Sequence, residues 1–306
     1  MSHALEDRLP PEMFLSEMTP MEETETREAP PGVAGTLSAV PSTLLITLAA
    51  RARGDTMFPT VAVGDARAQA LLARATSDPA PYLAHRPSIY GVLARTRVFC
   101  DLTAQFLARH PGATGVNLGC GLSDYFQWLD RGDNRWLDAD LPEVIALRQQ
   151  LLPAASERQR CATVDLSRPG WWAALGLPGA DAPSPVSLIC EGVLMYLEPD
   201  QAQAFLREFG EHAPAGSQLL FDAMCWLAAG RGQRNPSVRH TGADFHWGPR
   251  RVDELSQAHP RLELLGTHRV MEGYGAFYAT LSPLFRRLFG VPFYALYQMG
   301  VRGVGN

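Results

Sequence analysis

The chain has 306 residues, 46% apolar and 19% charged, enough for a sizeable core in one large domain or two small ones and too apolar for a chain disordered throughout. All 27 basic residues are Arg, so Schiff-base and P-loop lysine chemistry are excluded. The net charge is −5 with no basic run, which argues against a nucleic-acid partner.

Residues 1–30 hold eight acids against Arg8 and Arg27, so most of the negative charge sits at the start. An acidic, Pro-bearing leader over 1–35 is therefore expected to be a flexible arm or lid. It lacks the basic-then-apolar pattern of a secretory signal. Nowhere does an apolar run approach the roughly 18 residues of a membrane span, so no membrane is expected as a partner. Five cysteines, scattered and never in a C-x-x-C, fit a reducing cytoplasm better than a disulfide or zinc scaffold, and no metal site is expected.

Leu37, Val40, Leu44, Leu45 and Leu48 recur at helical spacing up to Gly54. Short helices and loops follow over 55–87. A longer helix covers about 89–109, with Ile89, Val92, Phe99, Leu102 and Phe106 inward, and His110-Pro111-Gly112 ends it. These segments predict an N-terminal helical cap over 36–111.

From 112 the period changes. Short apolar strands are predicted at 115–118, 135–138, 161–164, 186–190 and 217–221. Between them lie a helix opened by Pro142, a helix starting at Trp171-Trp172, and a helix over Asp200–Glu211. After 222 comes an irregular stretch, then a helix near 251–258, a strand near 261–265, a helix near 282–289 and a strand-like run over 293–297. Strands alternating with helices of this length predict a mostly parallel, Rossmann-like α/β sheet with helices on both faces, occupying 112–306.

Ligands of such sheets lie beyond the carboxyl ends of the strands, at the switch point. Asn117-Leu118-Gly119-Cys120-Gly121 follows the first strand and lets backbone approach a ligand closely. Asp138 and Asp140 end the second, about where an acid would meet ribose hydroxyls. Asp165-Leu166 follows the third, suited to an adenine edge and face, and Glu191 follows the fourth. An adenosine ligand could be a dinucleotide or S-adenosylmethionine. A dinucleotide turn needs a third glycine, where this chain has Asp124. A carboxylate facing a pyrophosphate would repel it, which favours the cationic sulfonium.

Three strings carry a resemblance: Asn117-Leu118-Gly119-Cys120-Gly121, Trp136-Leu137-Asp138-Ala139-Asp140-Leu141-Pro142-Glu143-Val144 and Glu191-Gly192-Val193-Leu194-Met195-Tyr196-Leu197. Together they are similar to the leucine carboxyl methyltransferase family, in its bacterial polyketide-methylating branch, with likeness from about 37 to 270. Phe245-His246-Trp247-Gly248 resembles that branch as well. The resemblance implies a class I methyltransferase sheet of seven strands and S-adenosylmethionine as cofactor. It also implies that Arg95 grips the methionine carboxylate, a task a two-pronged guanidinium suits. Gly119 and Gly121 would then form the backbone turn, Asp140 bind ribose, Asp165 and Leu166 hold adenine, and Glu191 be the acid after strand four. The pattern departs at Leu122-Ser123-Asp124-Tyr125, where the family usually has Leu-Asp-Thr-Arg.

Tyr196 is a candidate for orienting an acceptor, and His246 for a general base should the acceptor be a hydroxyl. Trp226, Phe245 and Trp247 are candidates for walling a flat substrate or for core. The expected function is transfer of a methyl group to a carboxyl or hydroxyl oxygen of a small, polyketide-like metabolite. Rival readings are a protein C-terminus as acceptor, a cofactor-binding protein without catalysis and, disfavoured by Asp124, a nicotinamide reductase. The sequence leaves the acceptor and the oligomeric state open.

Overall fold

The computed structural model describes residues 44–74, 80–232 and 243–303. The expected leader over 1–35, with Leu37 and Val40 of the first apolar pattern, lies outside the described residues. Four helices come first: α1 (Leu44–Met57), α2 (Ala66–Arg74), α3 (Ala80–Leu83) and the long α4 (Arg86–Arg109). Strands and helices then alternate as β1 (Thr114–Leu118), α5 (Phe126–Leu129), β2 (Arg135–Asp140), α6 (Pro142–Leu151), β3 (Gln159–Thr163), α7 (Trp171–Ala174), β4 (Val186–Cys190), α8 (Pro199–His212) and β5 (Gln218–Met224). The chain closes with α9 (Glu254–Gln257), β6 (Leu262–His268), α10 (Ala276–Phe289) and β7 (Tyr294–Val301).

The seven strands form one sheet in the order β3-β2-β1-β4-β5-β7-β6. The first five are parallel, whereas β7 runs antiparallel to both β5 and β6. This is the mostly parallel α/β sheet expected, with its switch point between β1 and β4. Every residue of β4 is buried, as its continuous apolar run requires between two covered faces.

One face of the sheet is covered by α7 and α8. Pro199 at the first turn of α8 fixes its start, and Ala202, Phe205, Leu206 and Phe209 recur at helical spacing to form its buried stripe. Phe205 stacks on Trp171 at 4.7 Å between ring centroids. The other face takes α4 and α5: Phe99, Phe106 and Leu107 pack with Trp136, Ile189, Leu220 and Leu296. The last helix of the expected cap therefore shares a core with the sheet. In front of α4, Leu48 and Ala52 of α1 meet Ala68 and Leu71 of α2 in a smaller cluster with Leu122.

Several boundaries differ from the sequence reading. The β5 strand continues to Met224 because β7 pairs along all of it. Helix α10 begins six residues before 282 and runs through Pro283. Pro283 is exposed, so the carbonyl that loses its helical partner there can be solvated. Helix α7 is a single turn, and α9 spans four residues where eight were expected.

Candidate active site

The strand ends at the switch point converge on the turn after β1. Gly119 and Gly121 both take left-handed conformations, with φ of +62° and +50°. A Cβ at 119 would stand 2.3 Å from Val193 Cγ2, and one at 121 would stand 2.5 Å from Leu44 Cδ2. Only glycine fits where the turn is pressed between the β4 end and the start of α1.

Asp140, at the end of β2, fixes this turn from the side. Its Oδ2 accepts a hydrogen bond from Gly121 N at 2.8 Å and its Oδ1 one from Leu141 N at 2.7 Å. Burial pushes its carboxyl above the ordinary Asp value, and these two N–H donors oppose the push. One residue past β3, Val164 N donates to the Asp140 carbonyl, which brings the Asp165-Leu166 pair alongside. Asp165 is partly exposed and accepts from Ser167 Oγ at 2.5 Å and Ser167 N at 3.0 Å; these bonds, the hydroxyl's foremost, hold its carboxyl below the usual range. Leu166 is buried against the core beside Trp171.

Two acids considered at the sequence level are turned away from this space. Asp138 is fully buried and accepts from Arg148 Nη2 at 2.9 Å, Gln159 Nε2 at 2.9 Å and Trp136 Nε1 at 3.1 Å. It is an anchor for Arg148, whose Nη1 donates to the carbonyls of Ser123 and Gly121 and so supports the turn from behind. Asp138 is therefore no ribose ligand. Asp124 also points inward, accepting from Gln159 Nε2 at 3.0 Å and pairing with Arg67 at 3.4 Å. It faces no phosphate position, so its charge is no argument against a dinucleotide.

At the end of β4 stands Glu191. Its Oε1 accepts from Arg95 Nε at 2.8 Å, its Oε2 accepts from Tyr125 OH at 2.6 Å, and Arg51 lies 3.9 Å away. Burial alone would raise its carboxyl, but Arg95 and Arg51 outweigh burial and hold it below the ordinary Glu value. Arg51 is itself buried on α1 and bonded to Asp65 at 3.0 Å. Arg95, near the middle of α4, donates from Nη1 to Asp222 Oδ2 at 2.9 Å and to Tyr294 OH at 3.3 Å. The guanidinium is thus suspended between Glu191, just past β4, and Asp222, within β5.

Beside this cluster, Tyr196 sits in a short turn after β4 with its ring 5.5 Å from Phe245. Met195, Ala228, Ala243 and Phe245 are buried there, and Met224 and Tyr294 pack against them. The His246 backbone N–H donates to the Met195 carbonyl, while its half-exposed ring lies 3.2 Å from the exposed Glu198. Of the other aromatics considered, Trp247 is core, 6.2 Å from Phe221, and Trp226 lies under Arg250. The structure thus joins Arg95 to Glu191 and Gly121 to Asp140 by direct hydrogen bonds, while Tyr196 packs on Phe245 and the His246 backbone bonds Met195.

Sequence reasoning did not find Arg51, Tyr125, Asp222 or Tyr294. Arg51 had one signal, a charge directly after the apolar run Leu48-Ala49-Ala50. Asp222 had another, an acid directly after the apolar run 219–221, as Glu191 directly follows the apolar run 188–190. Tyr125 occupies the place where the resemblance leads one to expect an arginine, and donates to Glu191 as a neutral group.

Residues 44–210, more than half of the chain, match the family profile described as leucine carboxyl methyltransferase. The chain belongs to the leucine carboxyl methyltransferase family. One relative, the tetracenomycin polyketide synthesis O-methyltransferase TcmP of Streptomyces glaucescens, is 32% identical over 213 residues, covering 69% of this chain and 76% of that protein. Another, the S-adenosyl-L-methionine-dependent methyltransferase dpfgK of Gibberella zeae, is 31% identical over 206 residues, covering 61% and 67%. Among solved structures, an O-methyltransferase family protein from Burkholderia thailandensis aligns at 15% identity with a TM-score of 0.45, over 72% of this chain and 60% of that one.

As a member of this methyltransferase family, the chain uses S-adenosylmethionine as its cofactor. The residues present fit that group. A glycine turn without room for a side chain, a partly exposed carboxylate on the turn's flank, and a guanidinium held with one prong unused match an adenosine joined to an amino acid. Among the described residues no helix is long and apolar enough to cross a membrane.

Proposed function

We propose that this methyltransferase acts on oxygen, transferring a methyl group to a carboxyl or hydroxyl of a small, polyketide-like metabolite. The observation that carries the reading is the pairing of the Arg95 cluster with the apolar and aromatic wall of Met195, Tyr196, Met224, Phe245 and Tyr294, joined at Tyr294. A cofactor seat thereby adjoins a surface suited to a flat, largely apolar acceptor. The TcmP relative, whose name places it in polyketide O-methylation, supports the same acceptor class.

In this reading Arg95 grips the methionine carboxylate and Glu191 orients Arg95. Asp140 accepts from the ribose hydroxyls, Gly119 and Gly121 let the backbone approach, and Asp165 with Leu166 hold the adenine edge and face. When bound, S-adenosylmethionine supplies an activated methyl group. The protein's task is then to set the acceptor oxygen in line with that methyl and keep water out. Tyr196 orients the acceptor. A carboxylate acceptor, with a pKa of about 4, is already ionised at neutral pH and needs no base. His246 is half-exposed and engaged with Glu198 on the surface, which favours that acceptor over a phenol.

Two measurements test the reading. Calorimetry is expected to give micromolar binding of S-adenosylmethionine and none of NADH. With a panel of aromatic carboxylic acids and phenols, His246→Ala is expected to keep most methyl transfer, and the pH–rate profile to lack a limb near pH ~6.5. A several-hundredfold loss in His246→Ala, with cofactor binding intact, would shift the assignment to hydroxyl methylation with His246 as base.

A further inference from the structure

We infer that Asp222 is a positioning residue for the amino-acid end of the cofactor, acting through Arg95, and that Tyr294 shares this task. The inference rests on Arg95 being the carboxylate-gripping residue.

Asp222 lies within β5 and is fully buried. Its two oxygens accept from three donors on three separate elements. Oδ2 takes Arg95 Nη1 of α4 at 2.9 Å and Tyr294 OH of β7 at 2.7 Å. Oδ1 takes the backbone N–H of Gly192, the residue after Glu191, at 2.6 Å. Each of these is a donor to a charged acceptor in a buried setting, the strongest class of hydrogen bond the side chains offer.

The geometry constrains one particular atom. Glu191 holds Arg95 Nε and Asp222 holds Nη1, so two of the three guanidinium nitrogens are fixed, each from a different edge. The remaining nitrogen, Nη2, projects over Gly192, 3.3 Å from where a Cβ on that glycine would stand. A flexible arginine side chain would otherwise spend rotamer freedom each time it met a carboxylate. With two acids gripping it, Nη2 is aimed before any ligand arrives. Because Asp222 also holds Gly192 N, it fixes the turn over which Nη2 passes.

A second consequence concerns charge. Arg51 and Arg95 are the cations of this buried cluster, and Asp65, Glu191 and Asp222 its acids, so acids exceed cations by one. Asp222 supplies that excess, which complements a cofactor whose sulfonium leaves it one unit positive.

The test compares two thioether ligands that differ at the amino-acid end. S-adenosylhomocysteine carries the amino-acid group, and 5′-methylthioadenosine lacks it. The wild-type protein is expected to favour S-adenosylhomocysteine; failure to do so would remove Arg95 from the site, and with it the reading on which this inference rests. Given that preference, Asp222→Asn is expected to weaken S-adenosylhomocysteine about tenfold while changing 5′-methylthioadenosine less than about twofold. In turnover, KM for S-adenosylmethionine should rise with little change in kcat. Tyr294→Phe removes one donor without altering charge, and should shift the same selectivity about two- to fivefold at a near-normal Tm. It carries the test if Asp222→Asn does not fold. Equal weakening of both ligands, or no change in either, would overturn the assignment and leave Asp222 a purely structural acid.

Discussion

Tyr125 shows how a single residue can stand in for another of different charge. Its hydroxyl reaches Glu191 Oε2 at 2.6 Å in full burial. Burial and the neighbouring Glu191 carboxylate raise the phenol well above its ordinary value, so it remains a donor throughout the working range. Tyr125→Phe would leave a buried carboxylate oxygen without that donor. A loss of about 1–3 kcal/mol is expected, read from denaturant midpoints at unchanged m-value. Asp140 presents the opposite electrostatic case. Its folded-state carboxyl titrates above the ordinary Asp value, so lowering the pH protonates it sooner than an exposed acid. Protonation in that window relieves a folded-state penalty, so apo stability gains there as pH falls. Cofactor affinity moves the other way, because the ionised oxygen is the better acceptor for ribose. Binding is therefore expected to weaken as pH falls from neutrality toward the ordinary Asp range, and Asp140→Asn to be weaker but flatter over that range. An equally steep profile in the variant would assign the titration to another group.

At the scale of elements, α7 illustrates a helix too short to hold itself. One turn is far below the length at which helices persist unaided. Glu208 of α8 supplies the missing partners, accepting from Gly170 N at 2.8 Å and Trp172 N at 2.7 Å. Through it Trp171 and Trp172 are fixed over Phe205 and Phe209. Glu208→Ala is expected to cost about 1–2 kcal/mol and to loosen this corner first, seen as a red shift in tryptophan emission. Elements with their own local signals were legible from sequence. Thus β4 shows as a buried apolar run, and Pro142 marks the start of α6. What was not legible depends on pairing at a distance. The extension of β5 past Phe221 is imposed by β7, and only that extension places Asp222 inside a strand. Ser282-Pro283 has the local form of a helix start although α10 begins at Ala276. Likewise acids stand out after apolar runs, but which arginine or tyrosine meets each one is decided by how α1, α4, the turn after β1 and β7 come together. Asp124 was misread for the same reason, since its inward partners Gln159 and Arg67 lie on other elements.

Across the whole molecule, the turn after β1 touches both halves of the chain: Leu44 at the start of α1 packs against Gly121, and Val193 beyond β4 against Gly119. A ligand seated there should tie α1 to the sheet. At S-adenosylmethionine concentrations near 100 times Kd, folding stability is expected to rise by about 2.7 kcal/mol. Hydrogen exchange should slow in α1 as well as in β1 and β2, and protection confined to the strands would show that α1 is energetically separate. The Arg95–Asp222–Tyr294 contact spans 127 residues in one bond and 199 in another. Such a contact has no local precursor, so it forms only after most loop-closure entropy has been overcome. During synthesis the guanidinium, the β4 turn and the β5 carboxylate are all made before Tyr294 is added, and β7 must then insert between β5 and β6. A nascent chain halted before β7 thus carries Arg95, Glu191 and Asp222 but neither Tyr294 nor the strand that pairs with β5 at Asp222; the frame around the guanidinium is completed among the last events in the birth of the protein.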